Sequence, residues 1–121
     1  MLLSIMFDLK GNIDSIPAKT NEQRVEFLRS QGWEVSDIPV REQIIRLPKE
    51  FPDVLKKYNE LQIQQGFDMM KYAGKEIGMY TYAVKKDGGE EKQAVLYIYK
   101  NKIIGGDVHS PAFDGEMEPL R

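Results

Sequence analysis

Apolar positions along the chain follow two periods. Phe51, Val54, Leu55, Tyr58, Leu61 and Gln65 recur at steps of three and four, with Lys56, Lys57, Glu60 and Gln64 mostly opposite. That spacing predicts a helix with one apolar face. Pro52 suits its first turn, where a missing N–H costs little, and Gly66 stands where it would close. Asp68 is placed to cap one further short turn through Met69 and Tyr72, ended by Gly74. An earlier helix is predicted over residues 21–31. Thr20 and Gln23 form a capping box at its start, Val25, Phe27 and Leu28 give it an apolar side, and Gly32 suits the left-handed residue that ends it.

Period two governs the last third. Strands are predicted over residues 76–85, 92–100 and 103–109. Asp87-Gly88 is a strong hairpin signal, and Asn101-Lys102 is a second tight turn because Asn tolerates positive φ. Trp33 and Val35 alternate with Glu34 and Ser36 in a short strand that Pro39 confines to an edge or ends. Residues 43–47 form another, with Ile44 and Ile45 as its apolar content and Pro48 as its stop. Past Ser110, Pro111, Gly115 and Pro119 predict an irregular tail. Leu3, Ile5, Phe7 and Leu9 alternate with polar or smaller neighbours as a half-buried strand does; the alternative is the remnant of a trimmed anchor. Residues 1–19 therefore read as a strand or connector, and residues 20–121 as one domain. The fold class is α+β: an antiparallel sheet, built from the closing meander plus short earlier strands, packed with two main helices on one sheet face.

Composition narrows the functional classes. A chain of 121 residues suits one domain and buries enough surface to hold a core without staples. Seventeen basic and 19 acidic residues leave a net charge of -2, which exerts no long-range pull on nucleic acid or anionic membrane. With no cysteine, thiolate zinc sites, thiol nucleophiles and disulfide frameworks drop out. The opening apolar run is far shorter than the about 20 residues a membrane span requires, and it lacks the basic start and cleavage site of a signal peptide.

Candidate chemistry is sparse, and each candidate carries a plainer alternative. Asp107 and His109 are two apart on a predicted strand and so share a side, with Asp114 returning from the tail. A carboxylate beside an imidazole can orient it for proton transfer or metal binding; the plainer reading is a solvated strand end. There is one histidine and no second metal-like spacing, so no catalytic or metal ligand set is assigned and no cofactor is implied. Gly105-Gly106 lies inside a predicted strand with no helix after it, which favours a bulge or close backbone approach over phosphate binding. Tyr80 and Tyr82 share one side of their strand, and Tyr97 and Tyr99 share one side of the next. Aligned across the Asp87-Gly88 hairpin, these sets would form a four-tyrosine patch, either a contact surface or part of the core beneath a helix. Asp87, Glu90 and Glu91 read as a solvated turn beside lysines. Gln62, Gln64, Gln65 and Asp68 at a helix end read as ligand donors or, more simply, as capping and surface polarity.

Several blocks are similar to a known family. Residues 24–35 read Arg-Val-Glu-Phe-Leu-Arg-Ser-Gln-Gly-Trp-Glu-Val. Tyr-Asn-Glu-Leu-Gln begins at Tyr58, followed by Gln64-Gln65-Gly66-Phe67-Asp68, Lys71-Tyr72, Gly74-Lys75 and Ile104-Gly105-Gly106-Asp107-Val108. Over residues 20–115 the chain resembles the bacterial domain of unknown function numbered 4830. That resemblance implies an extracytoplasmic domain, often held behind an N-terminal membrane segment, mostly in Gram-positive gut and soil bacteria. It supplies no catalytic residues. The chain departs from the family pattern at His109, where a Cys follows Gly-Gly-Asp-Val, and at Glu116, where an aromatic stands.

The function this points to is an extracytoplasmic binding or interaction module, using a sheet face or the groove between sheet and helices. Its partner is a protein, peptide or small ligand, with no nucleic acid and no membrane contact from the domain itself. A cytoplasmic location is the alternative. The competing functions are a hydrolase or metal-dependent enzyme centred on Asp107 and His109, and a structural domain that self-associates through an open sheet edge.

Overall fold

The computed structural model describes residues 15–111 and 117–120. The first helix, α1 (Asn21–Ser30), starts on the capping box: the Thr20 hydroxyl accepts from the Gln23 N–H, and the Gln23 side chain accepts from the Thr20 N–H. It ends at Gly32, whose φ of 95° lets the Gly32 N–H reach Arg29 and the Trp33 N–H reach Leu28. The second long helix, α2 (Asp53–Gln64), closes in the same way on Gly66, with the Phe67 N–H bonding the Gln62 carbonyl. In both motifs the residue after the glycine is aromatic. Trp33 and Phe67 are both buried in the same core. Asp68 caps the short 3-10 turn Met69–Tyr72 by accepting from the Met70 N–H.

Among the described residues six strands make one antiparallel sheet: β1 (Glu34–Val35), β2 (Arg41–Arg46), β3 (Glu76–Lys85), β4 (Lys92–Tyr99), β5 (Lys102–His109) and β6 (Met117–Glu118). Strands β3, β4, β5 and β6 follow one another, while β1 and β2 both pair with the outer side of β3. From Val35 opposite Val84 to Arg41 opposite Thr81, the edge advances six residues while β3 advances three. The surplus around Asp37, Ile38 and Pro39 divides the edge into two strands. The hairpins turn on residues with positive φ, Asp87-Gly88 as predicted and Lys100-Asn101 rather than Asn101-Lys102.

The helices cover both faces of the sheet, not one. Val25, Phe27 and Leu28 of α1 pack with Tyr82, Val84, Ala94, Leu96 and Val108. Phe51 and Leu55, with Met69 beyond the helix, pack with Ile77, Tyr97, Tyr99 and Ile104 on the reverse. Two-sided burial explains why β4 is apolar at successive positions, with Ala94, Val95 and Leu96 all buried. No helix among the described residues is long and apolar enough to cross a membrane. The apolar alternation over residues 3–9 lies outside the described residues.

The tail and the glutamines account for the remaining edge. β5 has lost its straight register by a bulge: Tyr97 faces Gly105 and Ile98 faces Ile103, leaving Ile104 as the extra residue. Its free side is then covered by three segments. Ile16 accepts from the Ile103 N–H and Ala18 donates to the Asn101 carbonyl. β6 pairs with Val108 and His109. Between them, Gln62 Oε1 accepts from the Gly106 N–H at 2.7 Å, and Gln65 Nε2 donates to the Gly106 carbonyl at 3.0 Å. Two side-chain amides thus replace a strand neighbour. Gln65 Oε1 also accepts from the Leu120 N–H at 2.8 Å, and the Leu120 carbonyl receives the Trp33 indole N–H.

These contacts overturn two expectations. Gln62 and Gln65 are buried rather than surface residues. The tail is not wholly irregular either, since it supplies β6 and the buried Leu120. A Cβ on Gly105 would stand 2.7 Å from the Met69 sulfur, and one on Gly106 would stand 2.2 Å from the Val95 carbonyl oxygen. The paired glycines are there for close approach. Gly106→Ala is expected to destabilise the fold by about 3 kcal/mol or more, because the obstructing atom is backbone. Gln65→Leu is expected to cost about 2 kcal/mol by stranding the Gly106 carbonyl and the Leu120 N–H. Chemical denaturation of each variant checks both values.

Candidate functional site

The four tyrosines do not share a face. In the β3–β4 register Tyr80 stands opposite Leu96 and Tyr82 opposite Ala94, while Tyr97 stands opposite Met79. Pairing across the hairpin therefore joins even-numbered with even-numbered positions. It sends Tyr80 and Tyr82 toward α1, and Tyr97 and Tyr99 toward α2. Tyr82 is fully buried: its hydroxyl accepts from Arg24 Nε and donates to Asn21 Oδ1. Burial pushes its pKa up, and the adjacent guanidinium opposes that rise. Arg24 also lies 3.9 Å from the Tyr80 ring centre and donates to the Ala18 carbonyl. On this side the tyrosines lock α1 and the preceding segment onto β3, and the expected single patch is replaced by two separate pairs.

The opposite face holds a cleft of about 750 Å³. Its apolar walls are Ile45, Leu47 and Phe51 from the edge strand and its following loop, Val54, Leu55, Tyr58 and Leu61 from α2, and Met117 from β6, with Tyr97 on the sheet between them; Arg46, Lys57 and Asn59 add polar groups to the lining. α2 presents a stripe at three- and four-residue spacing, of which only part packs down. Leu55 and Tyr58 are half-buried, whereas Val54 is 73% exposed at the cleft. Tyr58 and Tyr97 meet edge to face with ring centres 6.2 Å apart, and the Tyr72 and Tyr99 rings meet beyond them at 5.2 Å with their planes tilted by 57°. The lining residue types and the volume are those of a small-molecule site.

Behind this wall, Tyr58 reaches a buried carboxylate. Asp107 is 4% exposed and accepts from two directions: the Tyr58 hydroxyl donates to Oδ2, and His109 Nδ1 stands 2.8 Å from Oδ1. Asp107 and His109 share a face, as their spacing predicts. With Nδ1 against the Asp107 carboxyl group, the imidazole presents Nε2 on its other side. His109 lines a smaller recess of about 240 Å³ with Arg41, Thr81 and Gln93, on the same face as Tyr97. Asp114 lies outside the described residues. Among the described residues no three acidic or histidine side chains come together as a metal site.

The sequence did not single out Tyr58, which sits in an ordinary helical stripe. Its hydroxyl finds Asp107 only because α2 crosses β5, a contact between residues far apart in the chain. The glutamines that set this crossing carry the one available signal, two amides at a helix end followed much later by paired glycines.

Burial, and then the nearby Tyr97 and the charge on Asp107, raise the Tyr58 pKa; burial also raises that of Tyr97. The unfolded chain loses such protons near pH 10, while the folded chain keeps them. Above that pH the unfolded state binds fewer protons than the native state, so stability falls as pH rises. The denaturation midpoint is expected to drop above about pH 10, with a slope of up to ~1.4 kcal/mol per pH unit for each retained proton. Tyr58→Phe should make that slope shallower. An unchanged slope would show that Tyr58 ionises in the folded protein as it does in the unfolded one.

Searches of curated proteins and of solved structures give no match for the chain. The family described as Domain of unknown function (DUF4830) matches residues 27–108. The matched stretch runs from Phe27 of α1 to Val108 of β5, taking in the cleft wall of α2, the glutamines and the paired glycines. Since it covers more than half of the chain, the protein belongs to this family of unknown function.

Proposed function

We propose that this domain is a binding module whose ligand lies in the cleft between α2 and the sheet. The observation that carries this reading is the cleft itself, about 750 Å³ of mostly apolar wall with exposed Val54 at its side and with Tyr58, hydrogen-bonded to buried Asp107, in its lining. A wall of Ile, Leu, Phe, Val and Met side chains favours an apolar ligand body through removal of its surface from water. The separate recess on the same sheet face, with His109, Arg41, Thr81 and Gln93, offers hydrogen bonds to a ligand end that extends to it. The ligand class is therefore a small molecule or peptide segment with an apolar body and one polar end. The family resemblance supports placing the module outside the cytoplasmic membrane, and the cysteine-free composition is compatible with that site.

Titration with a fluorescent probe that has an alkyl chain and a carboxylate head tests the cleft. Saturable binding with one site per chain is expected. Val54→Asp, which places a charge on an exposed lining position, should weaken binding by about tenfold or more, equivalent to about 1.4 kcal/mol, without lowering the thermal midpoint. Absence of saturable binding, or undiminished binding by the Val54→Asp protein, contradicts the assignment.

A further inference from the structure

The outer side of β2 carries no strand among the described residues. Alternate residues of an antiparallel strand direct both backbone groups to one neighbour, and the intervening residues direct theirs to the other. Leu47, which follows β2 in register, donates its N–H to the Lys75 carbonyl opposite it. Continuing that alternation, Arg41, Gln43 and Ile45 bond to β3, and Glu42, Ile44 and Arg46 turn their N–H and C=O groups outward. The outward set has the side-chain order acidic, apolar, basic. Ile44 is 75% exposed, and neighbouring Val40 is 56% exposed.

From this edge we propose that the protein forms a two-fold dimer by antiparallel pairing of β2 with β2 of a second copy, centred on Ile44. Backbone parity leaves only registers that oppose outward residues to one another. Among these, centring on Ile44 is the one that opposes Glu42 to Arg46 of the partner subunit and Arg46 to the partner subunit's Glu42. Shifting by one outward pair opposes Glu42 to the partner's Ile44 in one direction, or Ile44 to the partner's Arg46 in the other. The central register thus brackets an Ile44–Ile44 contact with two opposite-charge pairs, and each cross-strand pair of these kinds stabilises a sheet by a fraction of a kcal/mol. The edge is self-complementary, as an isologous contact requires.

Arg46 is suited to the role. Its Nη2 lies 2.9 Å from Glu76 Oε2 and its Nη1 donates to the Gly74 carbonyl at 2.8 Å, so the guanidinium is anchored to its own subunit and would bridge Glu76 and the partner's Glu42. The surplus residues at Asp37, Ile38 and Pro39 stop the pairable edge at one end, and Pro48 stops it at the other. On this edge, among the described residues, one short segment is left to pair, which favours a closed dimer over a growing stack. A two-fold axis through Ile44 keeps equivalent faces of the two sheets on the same side. Ile45 and Leu47 border the cleft, so dimer formation sets the two clefts side by side across the seam.

Sedimentation velocity over a wide concentration range reads the association, with circular dichroism confirming the fold of each variant. The native chain should pass from monomer to dimer with rising concentration. Glu42→Arg alone and Arg46→Glu alone should each weaken self-association by about tenfold or more, since each opposes like charges at both pairs. An equimolar mixture of the two variants should recover the dimer, because every opposed pair then joins Arg to Glu. Ile44→Lys, which sets two ammonium groups at the axis, should remain monomeric beside the native chain. A native chain that stays monomeric at every concentration overturns the proposal. So do single variants that associate as the native chain does, and a mixture that fails to recover association. Probe binding by Val54→Asp is read separately, so loss of the dimer and loss of the cleft ligand are distinguishable.

Discussion

The architecture depends on how one side of β5 is satisfied. A strand edge presents backbone donors and acceptors that must meet partners when they are buried. At Gly106 the partners are the amides of Gln62 and Gln65, one accepting from the N–H and the other donating to the carbonyl. Only glycine admits this approach, because a Cβ there would collide with the Val95 carbonyl and with Leu120. The same Gln65 holds Leu120, and Leu120 holds Trp33 beside α1. One junction therefore ties α2, β5, the tail and α1 together. It has an energetic cost, since Gln62 Nε2 is buried without an acceptor among the described residues. The Gln62 side chain is accordingly held by its oxygen alone, with the Gln65 amide 3.3 Å away as a second donor.

The cleft follows from that placement. Once its C-terminal end is fixed at Gly106, α2 crosses the sheet with Tyr58 over Asp107 and Leu55 over the apolar region near Ile77. The helix covers part of its face and leaves the remainder as a cleft. The other face is filled by α1, where Arg24 is shared by Tyr80, Tyr82 and the Ala18 carbonyl. The sheet thus has one closed and one partly open face. Its β2 edge remains a separate surface, which borders the same cleft through Ile45 and Leu47.

Local features were legible because their causes are local. The Thr20–Gln23 box, the closing glycines at 32 and 66, the Asp68 cap and the Asp87-Gly88 hairpin all depend on residues within a few positions of each other. The Asp107–His109 pairing was legible for the same reason, since alternation on a strand puts both on one side. Features that depend on register were not. The β3–β4 register separates tyrosines that a shift of one residue would have aligned. Burial of Gln62 and Gln65 was hidden because their partner lies more than 40 residues away in the chain, and polar side chains at a helix end are ordinarily solvated. Tyr58 was read as part of a stripe because nothing near it in sequence marks a carboxylate above it.

Hydrogen exchange at the Gly106 amide tests the central junction most directly. An edge N–H open to water exchanges rapidly, whereas one donating to a buried side-chain oxygen exchanges only when the protein opens. The account predicts that Gly106 is protected to the level of the β4 core amides in the native chain, and that Gln62→Leu abolishes this protection while β4 retains its own. Rapid exchange at Gly106 in the native chain would contradict it.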